Sequence, residues 1–144
     1  MILFVCTGNT CRSPMAKTLM KKKVTDLGMN IPVDSCGISV YENAATKGAI
    51  NAMKELGLEL TGHIPSEVSH NHLDAATLVL TMTAKHKNIL VSSLPQYASK
   101  IYTIYEYVSK TKKDVTDPYG GSDFDYLKTA RELEELIDKM KIPV

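Results

Sequence analysis

Residues 2–14 read ILFVCTGNTCRSP, a short apolar run followed by a polar segment that ends in arginine, serine and proline. The run Ile2–Val5 is wholly apolar and partly β-branched, which is typical of a strand buried on both faces of a parallel sheet. Pro14 suits the first turn of a helix, Ser13 can cap it, and apolar residues then recur at helical spacing up to Gly28. The stretch predicts a strand, a polar loop and a helix.

The rest of the chain continues this alternation. Strands are predicted over Ile31–Cys36, Thr77–Met82 and Ile101–Ile104, and helices over Ala45–Leu56 and Ala84–Leu94. The last helix is predicted from the helical spacing of Tyr126, Ala130, Leu133, Ile137 and Met140. The pattern predicts an α/β fold, one three-layer domain over residues 1–144 with a four-stranded parallel sheet flanked by helices. Because such sheets bind ligands at the carboxyl ends of their strands, we expect a phosphate loop after the first strand.

Composition and charge exclude several classes of protein. The 144 residues are 44% apolar and 23% charged, which fits one globular domain and not a disordered chain. The formal net charge of +1 favours neither a nucleic acid nor a membrane as a partner. The first apolar run is too short for a signal or a membrane span, so we expect a cytoplasmic protein, and we expect a monomer. The three cysteines, an odd number, argue against a disulfide framework.

In the loop after the first strand, five residues separate Cys6 from Arg12. Five residues can curl into a nest of inward-pointing backbone N–H groups, and the helix that follows adds its positive end, so the loop suits a tetrahedral oxyanion such as phosphate. We expect Gly8 and Asn9 to supply the left-handed conformations of this curl. Arg12 can hold two phosphate oxygens with its planar fork, Cys6 is the expected thiolate nucleophile, and Ser13 can donate a hydrogen bond to it.

A mechanism through a phosphocysteine also needs an acid for the leaving group and a base for water. The candidate is Asp117 in the segment TDPYGG, residues 116–121, because Pro118 keeps it out of helical geometry on a loop. The two glycines of the segment would let this loop move. Tyr119 can stack on a planar guanidinium or on a phenyl ring.

Two segments, VCTGNTCRSP at residues 5–14 and DPY at residues 117–119, resemble the two signatures of the low-molecular-weight protein tyrosine phosphatases. The resemblance covers essentially the whole chain. It implies Cys6 as nucleophile, Arg12 as transition-state clamp and Asp117 as acid and then base, with no metal and no cofactor. The implied substrate-binding residues are Thr7, Gly8, Asn9, Thr10, Cys11, Arg12, Ser13 and Tyr119. A supporting hydrogen-bond network is also implied, with the members Asn9, Ser13, Ser35 and His63.

Thr10 refines the resemblance. Familiar phosphotyrosine-specific members usually carry isoleucine at this position, and with threonine the sequence resembles the bacterial protein arginine phosphatases. A polar guanidinium is disfavoured less by a hydroxyl on the pocket wall than by an aliphatic wall. An aromatic ring, in turn, gains less apolar contact from the hydroxyl. The expected substrates are therefore phosphorylated proteins, with phosphoarginine favoured and phosphotyrosine as the alternative.

Three other functions fit the sequence less well. Arsenate reduction uses a related loop but needs further cysteines, and residues 76–100 contain none. A metal-binding module would combine the cysteines with the four histidines, but the spacing of metal ligands is missing, no Cys-x-x-Cys is present, and the histidines are interpreted as loop or surface residues. A phosphoprotein-binding module would need neither a nucleophile nor an acid.

Cys11 lies in the same loop as Cys6 and has two interpretations. It can form a reversible disulfide with Cys6, which would protect the nucleophile from irreversible oxidation. Alternatively, it is a small residue that only fills the loop. Both interpretations stay open, because the sequence does not give the geometry that a disulfide requires. Cys36 is predicted to be a buried strand residue.

Overall fold

The computed structural model describes residues 1–143, in which a four-stranded parallel sheet lies between two layers of helices. The strands are β1 (Ile2–Cys6), β2 (Val33–Gly37), β3 (Leu78–Thr81) and β4 (Ile101–Thr103). The helices are α1 (Arg12–Asp26), α2 (Lys47–Glu55), α3 (His70–Ala75), α4 (Ala84–Ser93), α5 (Ile104–Ser109) and α6 (Asp123–Lys139), and a 3₁₀ helix covers Pro95–Lys100. The predicted α/β fold with a four-stranded parallel sheet is confirmed.

The strand order β2-β1-β3-β4 places β1 inside the sheet. All five of its residues are buried, as expected for a strand that is covered on both faces. In the register, Cys6 pairs with Gly37 of β2, and Val5 pairs with Thr81 of β3. The carboxyl ends of three strands therefore meet where the loop of residues 7–11 begins.

The two faces of β1 bury different clusters of apolar side chains. Phe4 and Cys6 belong to a cluster that also takes side chains from α1, α2 and α6. Val5 belongs to the other cluster, together with Leu73 of α3 and Leu90 of α4. Each fully buried large apolar side chain contributes roughly 1.5–3 kcal/mol. This packing fixes β1 and α1, the two elements that flank the loop.

The first helix differs from its prediction in how it starts. It begins at Arg12 with Cys11 as N-cap, and no side chain caps it, so the prediction that Ser13 is the cap is wrong. Ser13 lies inside the first turn and directs its hydroxyl toward the sulfur of Cys6, away from the free N–H groups of that turn. Within residues 1–143, those groups have no side-chain acceptor.

Three short elements were not predicted: α3, the 3₁₀ helix and α5. Each has six residues, which is too short for an apolar period to be recognised. The helices α3 and α5 do carry capping boxes, Ser69 with His72 and Thr103 with Glu106. None of the helices within residues 1–143 combines the length and apolarity that crossing a membrane requires.

Candidate active site

A cavity of about 360 Å³ opens beside the loop that follows β1. Three segments line it: the loop with the ends of its flanking elements, the connection after β2, and the segment that precedes α6. The lining residues are Cys6, Thr7, Gly8, Thr10, Cys11, Arg12, Ser39, Tyr41, Glu42, Asp117 and Tyr119. The structure thus brings together at one cavity most of the residues that the motifs predict, although they come from both ends of the chain.

Cys6 lies at the buried floor of this cavity, and Ser13 lies behind it. Cys6 is 2% exposed and its Sγ lies 2.8 Å from Ser13 Oγ. Ser13 Oγ also accepts a hydrogen bond of 2.9 Å from Asn9 Nδ2, while its contact with the carbonyl oxygen of Cys36 is longer, at 3.4 Å. Because the Asn9 amide supplies a donor to the hydroxyl, the hydroxyl hydrogen is free to point at the sulfur, where it would stabilise a thiolate.

Asn9 holds the loop in its curled shape. Its φ of 55° lies in the left-handed region, as predicted. The second hydrogen of its amide goes to Ser35 Oγ at 2.9 Å, and its Oδ1 accepts from the backbone N–H of Ser66 at 3.0 Å. His63 Nε2 lies 2.9 Å from the carbonyl oxygen of Asn9, and burial lowers the pKa of His63, which favours the neutral ring. The structure therefore brings Ser35 and His63 to the loop.

Gly8 does not have the conformation that was expected of it. Its φ is not positive, so the prediction that it adopts a left-handed conformation is wrong. One left-handed residue is enough to turn the loop, because Asn9 is held there by its side-chain hydrogen bonds. The glycine that the loop requires is Gly37, where an added Cβ would lie 2.6 Å from the carbonyl oxygen of Thr7 and 3.0 Å from the nitrogen of Asn9. Gly37 lies outside the predicted site residues.

Arg12 links the loop to the segment before α6. It is 5% exposed, and its Nη1 donates to the carbonyl oxygen of Val115 at 3.2 Å. Its Nη2 lies 3.6 Å from Asp117 Oδ2, and the side chain of Asp117 is 55% exposed. The other carboxylate oxygen of Asp117 accepts from the backbone N–H of Tyr119 at 3.1 Å. A buried cation and a solvent-accessible carboxylate thus lie next to each other at the cavity.

Two exposed residues lie at the mouth of the cavity. Tyr119 is 58% exposed and its hydroxyl donates to Glu42 Oε1 at 2.7 Å. Glu42 comes from the connection after β2, whose Ser39 N–H donates to the carbonyl oxygen of Thr7 at 2.9 Å. Three lining residues were not predicted, because they form no motif and reach the cavity only through the fold: Ser39, Tyr41 and Glu42.

All three thiols are free, and they lie on two sides of the sheet. Cys11 is buried in the same cluster as Cys6, and burial raises its pKa to about 11. Cys36 packs in the cluster on the opposite face, as a buried strand residue, and burial raises its pKa as well. This placement leaves Cys36 poorly positioned for the disulfide relay that arsenate reduction requires.

The interpretation of the histidines as loop or surface residues is wrong for His86. This residue lies on α4, is 4% exposed, and has its Nε2 2.8 Å from Thr7 Oγ1 in the loop. A single sequence offers no signal for this, because Thr7 and His86 are far apart along the chain. Within residues 1–143, no three of the histidine, cysteine, aspartate and glutamate side chains group in a way that would hold a metal ion.

Known proteins match this chain over nearly its full length. The model of the family described as low molecular weight phosphotyrosine protein phosphatase matches residues 1–142. A protein-arginine-phosphatase of Bacillus subtilis (strain 168) is 43% identical over 140 residues, which cover 96% of this chain and 93% of that protein.

Two solved structures have the same fold. A YwlE arginine phosphatase mutant with a phosphorylated active site serine has a TM-score of 0.92 and 42% identity, covering 96% of this chain and 91% of its own. A low molecular weight protein tyrosine phosphatase from T. tengcongensis has a TM-score of 0.91 and 44% identity, covering 96% and 95%. Together with the motifs and the cavity at the end of β1, these matches show that the chain belongs to the low molecular weight phosphotyrosine protein phosphatase family.

Proposed function

We propose that this protein removes the phosphoryl group from phosphoarginine residues of proteins, through a phosphocysteine intermediate on Cys6. The observation that carries the proposal is the meeting of four groups at one cavity: the thiol of Cys6, the guanidinium of Arg12, the carboxylate of Asp117 and the hydroxyl-bearing wall residue Thr10. A nucleophile, a cation and an acid are the groups that phosphoryl transfer without a metal needs.

In the first step, the Cys6 thiolate attacks phosphorus and the bond between phosphorus and the guanidinium nitrogen breaks. Arg12, the free N–H groups at the start of α1 and the loop amides hold the phosphoryl oxygens. The incoming phosphoryl dianion competes with Asp117 for Arg12, since the two side chains are only 3.6 Å apart. Asp117, released toward the leaving group and carrying a proton, donates that proton to the departing nitrogen.

In the second step, water breaks the bond between sulfur and phosphorus. Asp117, now a carboxylate, takes a proton from that water, so that phosphate is released and the thiolate is restored. The hydrogen bond from Ser13 to Cys6 Sγ supports the thiolate both as attacking group and as leaving group. No cofactor takes part in either step.

The preference for phosphoarginine rests on the wall of the cavity. Similarity in sequence does not decide it, because the arginine phosphatase of B. subtilis and the tyrosine phosphatase of T. tengcongensis are 43% and 44% identical to this chain. Thr10 is 5% exposed and lines the cavity between Gly8 and Cys11. Its side chain is shorter than isoleucine and carries a hydroxyl, so it packs less well on a phenyl ring and tolerates a guanidinium better.

The test is phosphate release from two peptides that differ only in carrying phosphoarginine or phosphotyrosine, without added metal and with the Cys6→Ser protein as blank. The proposal predicts a kcat/KM for phosphoarginine at least tenfold above that for phosphotyrosine. A preference for phosphotyrosine would overturn the proposed substrate, and release from neither peptide would overturn the phosphatase activity.

The proposal includes redox sensitivity. Cys6 and Cys11 line the same cavity as free thiols. Hydrogen peroxide would oxidise Cys6 to a sulfenic acid, and attack by Cys11 would form the disulfide and release water. After inactivation by peroxide, a dithiol reductant should therefore restore the activity of the wild-type protein. In the Cys11→Ser variant no thiol traps the sulfenic acid, so a second equivalent of peroxide oxidises Cys6 to a sulfinic acid, which the dithiol does not reduce. Equal recovery of both proteins would contradict the disulfide.

We place the enzyme in the cytoplasm, as a monomer. Three free thiols, two of them at the reaction site, fit a reducing compartment. Light scattering coupled to size-exclusion chromatography tests the oligomeric state, and a mass of two chains at micromolar concentration would contradict the monomer.

A further inference from the structure

We propose that His86 is a positioning residue, which makes the hydroxyl of Thr7 a hydrogen-bond donor for the phosphoryl group in the cavity. The inference rests on the proposed phosphatase function, but not on the choice between phosphoarginine and phosphotyrosine. The proposal concerns the side-chain hydroxyl of Thr7 and not its backbone amide, which belongs to the loop that holds the phosphoryl group, and it adds His86 to the set of Cys6, Arg12 and Asp117.

The contact between the two residues joins two elements at the same edge of the sheet. Thr7 directly follows Cys6 at the end of β1, and His86 lies in the first turn of α4, shortly after β3. The imidazole is almost completely buried, and its Nε2 lies 2.8 Å from Thr7 Oγ1. Its Nδ1 is also buried and has no hydrogen-bond partner in the part of the chain that the structure describes. Among the described residues, the ring therefore makes its one side-chain hydrogen bond toward the loop.

The unpartnered Nδ1 determines which nitrogen carries the hydrogen. If Nε2 accepted from Thr7, Nδ1 would have to carry a buried N–H with no acceptor, which is rare and costly in proteins. If Nε2 carries the hydrogen, Nδ1 is only an unused acceptor, which costs less. The neutral ring with its hydrogen on Nε2 is therefore favoured, and it donates to Thr7 Oγ1.

The charge state of His86 agrees with this assignment. Burial, and next the positive charge of Arg12, lower the pKa of His86 to about 4. The ring is then neutral at the pH of the cell. Thr7, the partner of this imidazole, lines the same cavity as Arg12.

The donated hydrogen bond decides what the hydroxyl of Thr7 can bind. A hydroxyl whose oxygen already accepts from His86 keeps its own hydrogen for another acceptor. Thr7 is exposed and lines the cavity next to the nucleophile, and His86 is its only side-chain partner in the described residues. A phosphoryl oxygen is an acceptor, whereas a protonated guanidinium only donates, so the hydroxyl suits the phosphoryl group and not the leaving group.

The experiment measures orthovanadate inhibition and the kcat of hydrolysis in five variants. Thr7→Val removes the hydroxyl and Thr7→Ser keeps it, while His86→Leu removes the donor and His86→Gln keeps an N–H at a similar reach. The fifth protein combines Thr7→Val with His86→Leu. Orthovanadate is the probe because it occupies the phosphoryl site whichever phosphorylated side chain the enzyme prefers.

The proposal predicts that Thr7→Val and His86→Leu each weaken orthovanadate inhibition and lower kcat by about tenfold. The double variant should lose little more than either single variant, because both changes remove one interaction. Thr7→Ser and His86→Gln should stay within about threefold of the wild type. This coupling distinguishes positioning from a structural role, in which the losses from Thr7 and His86 would add.

Additive losses, or unchanged inhibition and kcat in Thr7→Val, would overturn the proposal. If His86→Leu does not fold, Thr7→Val against Thr7→Ser and the behaviour of His86→Gln still decide it. Failure of the proposed function has a different signature, since the wild-type protein would then hydrolyse neither phosphoarginine nor phosphotyrosine peptides.

Discussion

Cys6 at the floor of the cavity, with Asn9 and Ser13 behind it, is almost completely buried like them, and hydrogen bonds of 2.8 and 2.9 Å join the three side chains. At the mouth, Tyr119 is more than half exposed, and a single hydrogen bond joins it to Glu42 of another loop. A buried polar group that loses its partner costs about 1–3 kcal/mol, whereas an exposed group can replace its partner with water. Changes at the floor should therefore destroy the reaction, while changes at the mouth should only adjust it.

The largest expected loss of activity follows from replacing Cys6, at the floor of the cavity. Replacing Cys6 by serine removes the thiolate, so we expect turnover to fall by at least about four orders of magnitude. A slowly formed phosphoserine should accumulate, in agreement with the phosphorylated serine described for the related YwlE structure. Intact-protein mass spectrometry after incubation with a phosphoarginine peptide measures it. Turnover close to that of the wild type would show that Cys6 is not the nucleophile.

The next largest loss of activity is expected from Asp117, whose carboxylate lies beside Arg12 at the cavity. Asp117→Asn keeps the size of the side chain but cannot transfer a proton, so we expect kcat to fall by about 10²–10⁴. The loss should be larger for aryl phosphates with poor leaving groups than for those with good ones. A series of substituted phenyl phosphates gives this dependence. An equal loss across the series would assign Asp117 a structural role instead.

The support behind the floor can be tested by stability. Asn9→Ala should lower the free energy of unfolding by about 3 kcal/mol, because it leaves buried partners unpaired and keeps a left-handed backbone that alanine disfavours. Asn9→Gly should lose about 1 kcal/mol less. Lys110, also left-handed with a φ of 56° but exposed, provides the control, since Lys110→Gly should not destabilise the protein. Urea denaturation of the four proteins measures the differences, and equal effects of glycine at both positions would contradict the supporting network.

The smallest effect is expected at the mouth. Tyr119→Phe removes the hydrogen bond to Glu42 and keeps the ring, so kcat/KM for phosphoarginine should change by no more than about threefold. Steady-state kinetics with the wild type as reference is sufficient. A loss of kcat/KM above tenfold would show that the reaction depends on side chains at the mouth as well as on those at the floor.

The same contrast explains how much of the site the sequence could predict. Cys6, Asn9, Arg12 and Ser13 belong to one contiguous stretch, residues 6–13, where spacing and local conformation already suggest an anion site. The left-handed residue was predicted correctly at Asn9 and wrongly at Gly8, because the side-chain hydrogen bonds that select Asn9 come from distant segments.

The residues that were missed depend on distant contacts. Gly37 is required because the loop passes within 2.6 Å of where its Cβ would be, and His86 contacts the loop across 79 positions of the chain. Glu42 reaches the mouth from the connection after β2. Composition and periodicity carry no information on such pairings. By contrast, the parallel sheet follows from apolar runs that are local in the sequence, which is why the fold was predicted and these partners were not.

The most direct test of the account is the ratio of kcat/KM for phosphoarginine to that for phosphotyrosine, measured on matched peptides with the wild type and with Thr10→Ile. We expect phosphoarginine to be preferred by the wild type, and the ratio to fall at least tenfold in Thr10→Ile, with cleavage still dependent on Cys6. A ratio that is the same in both proteins would contradict the claim that the floor performs the chemistry while Thr10 on the wall selects the substrate.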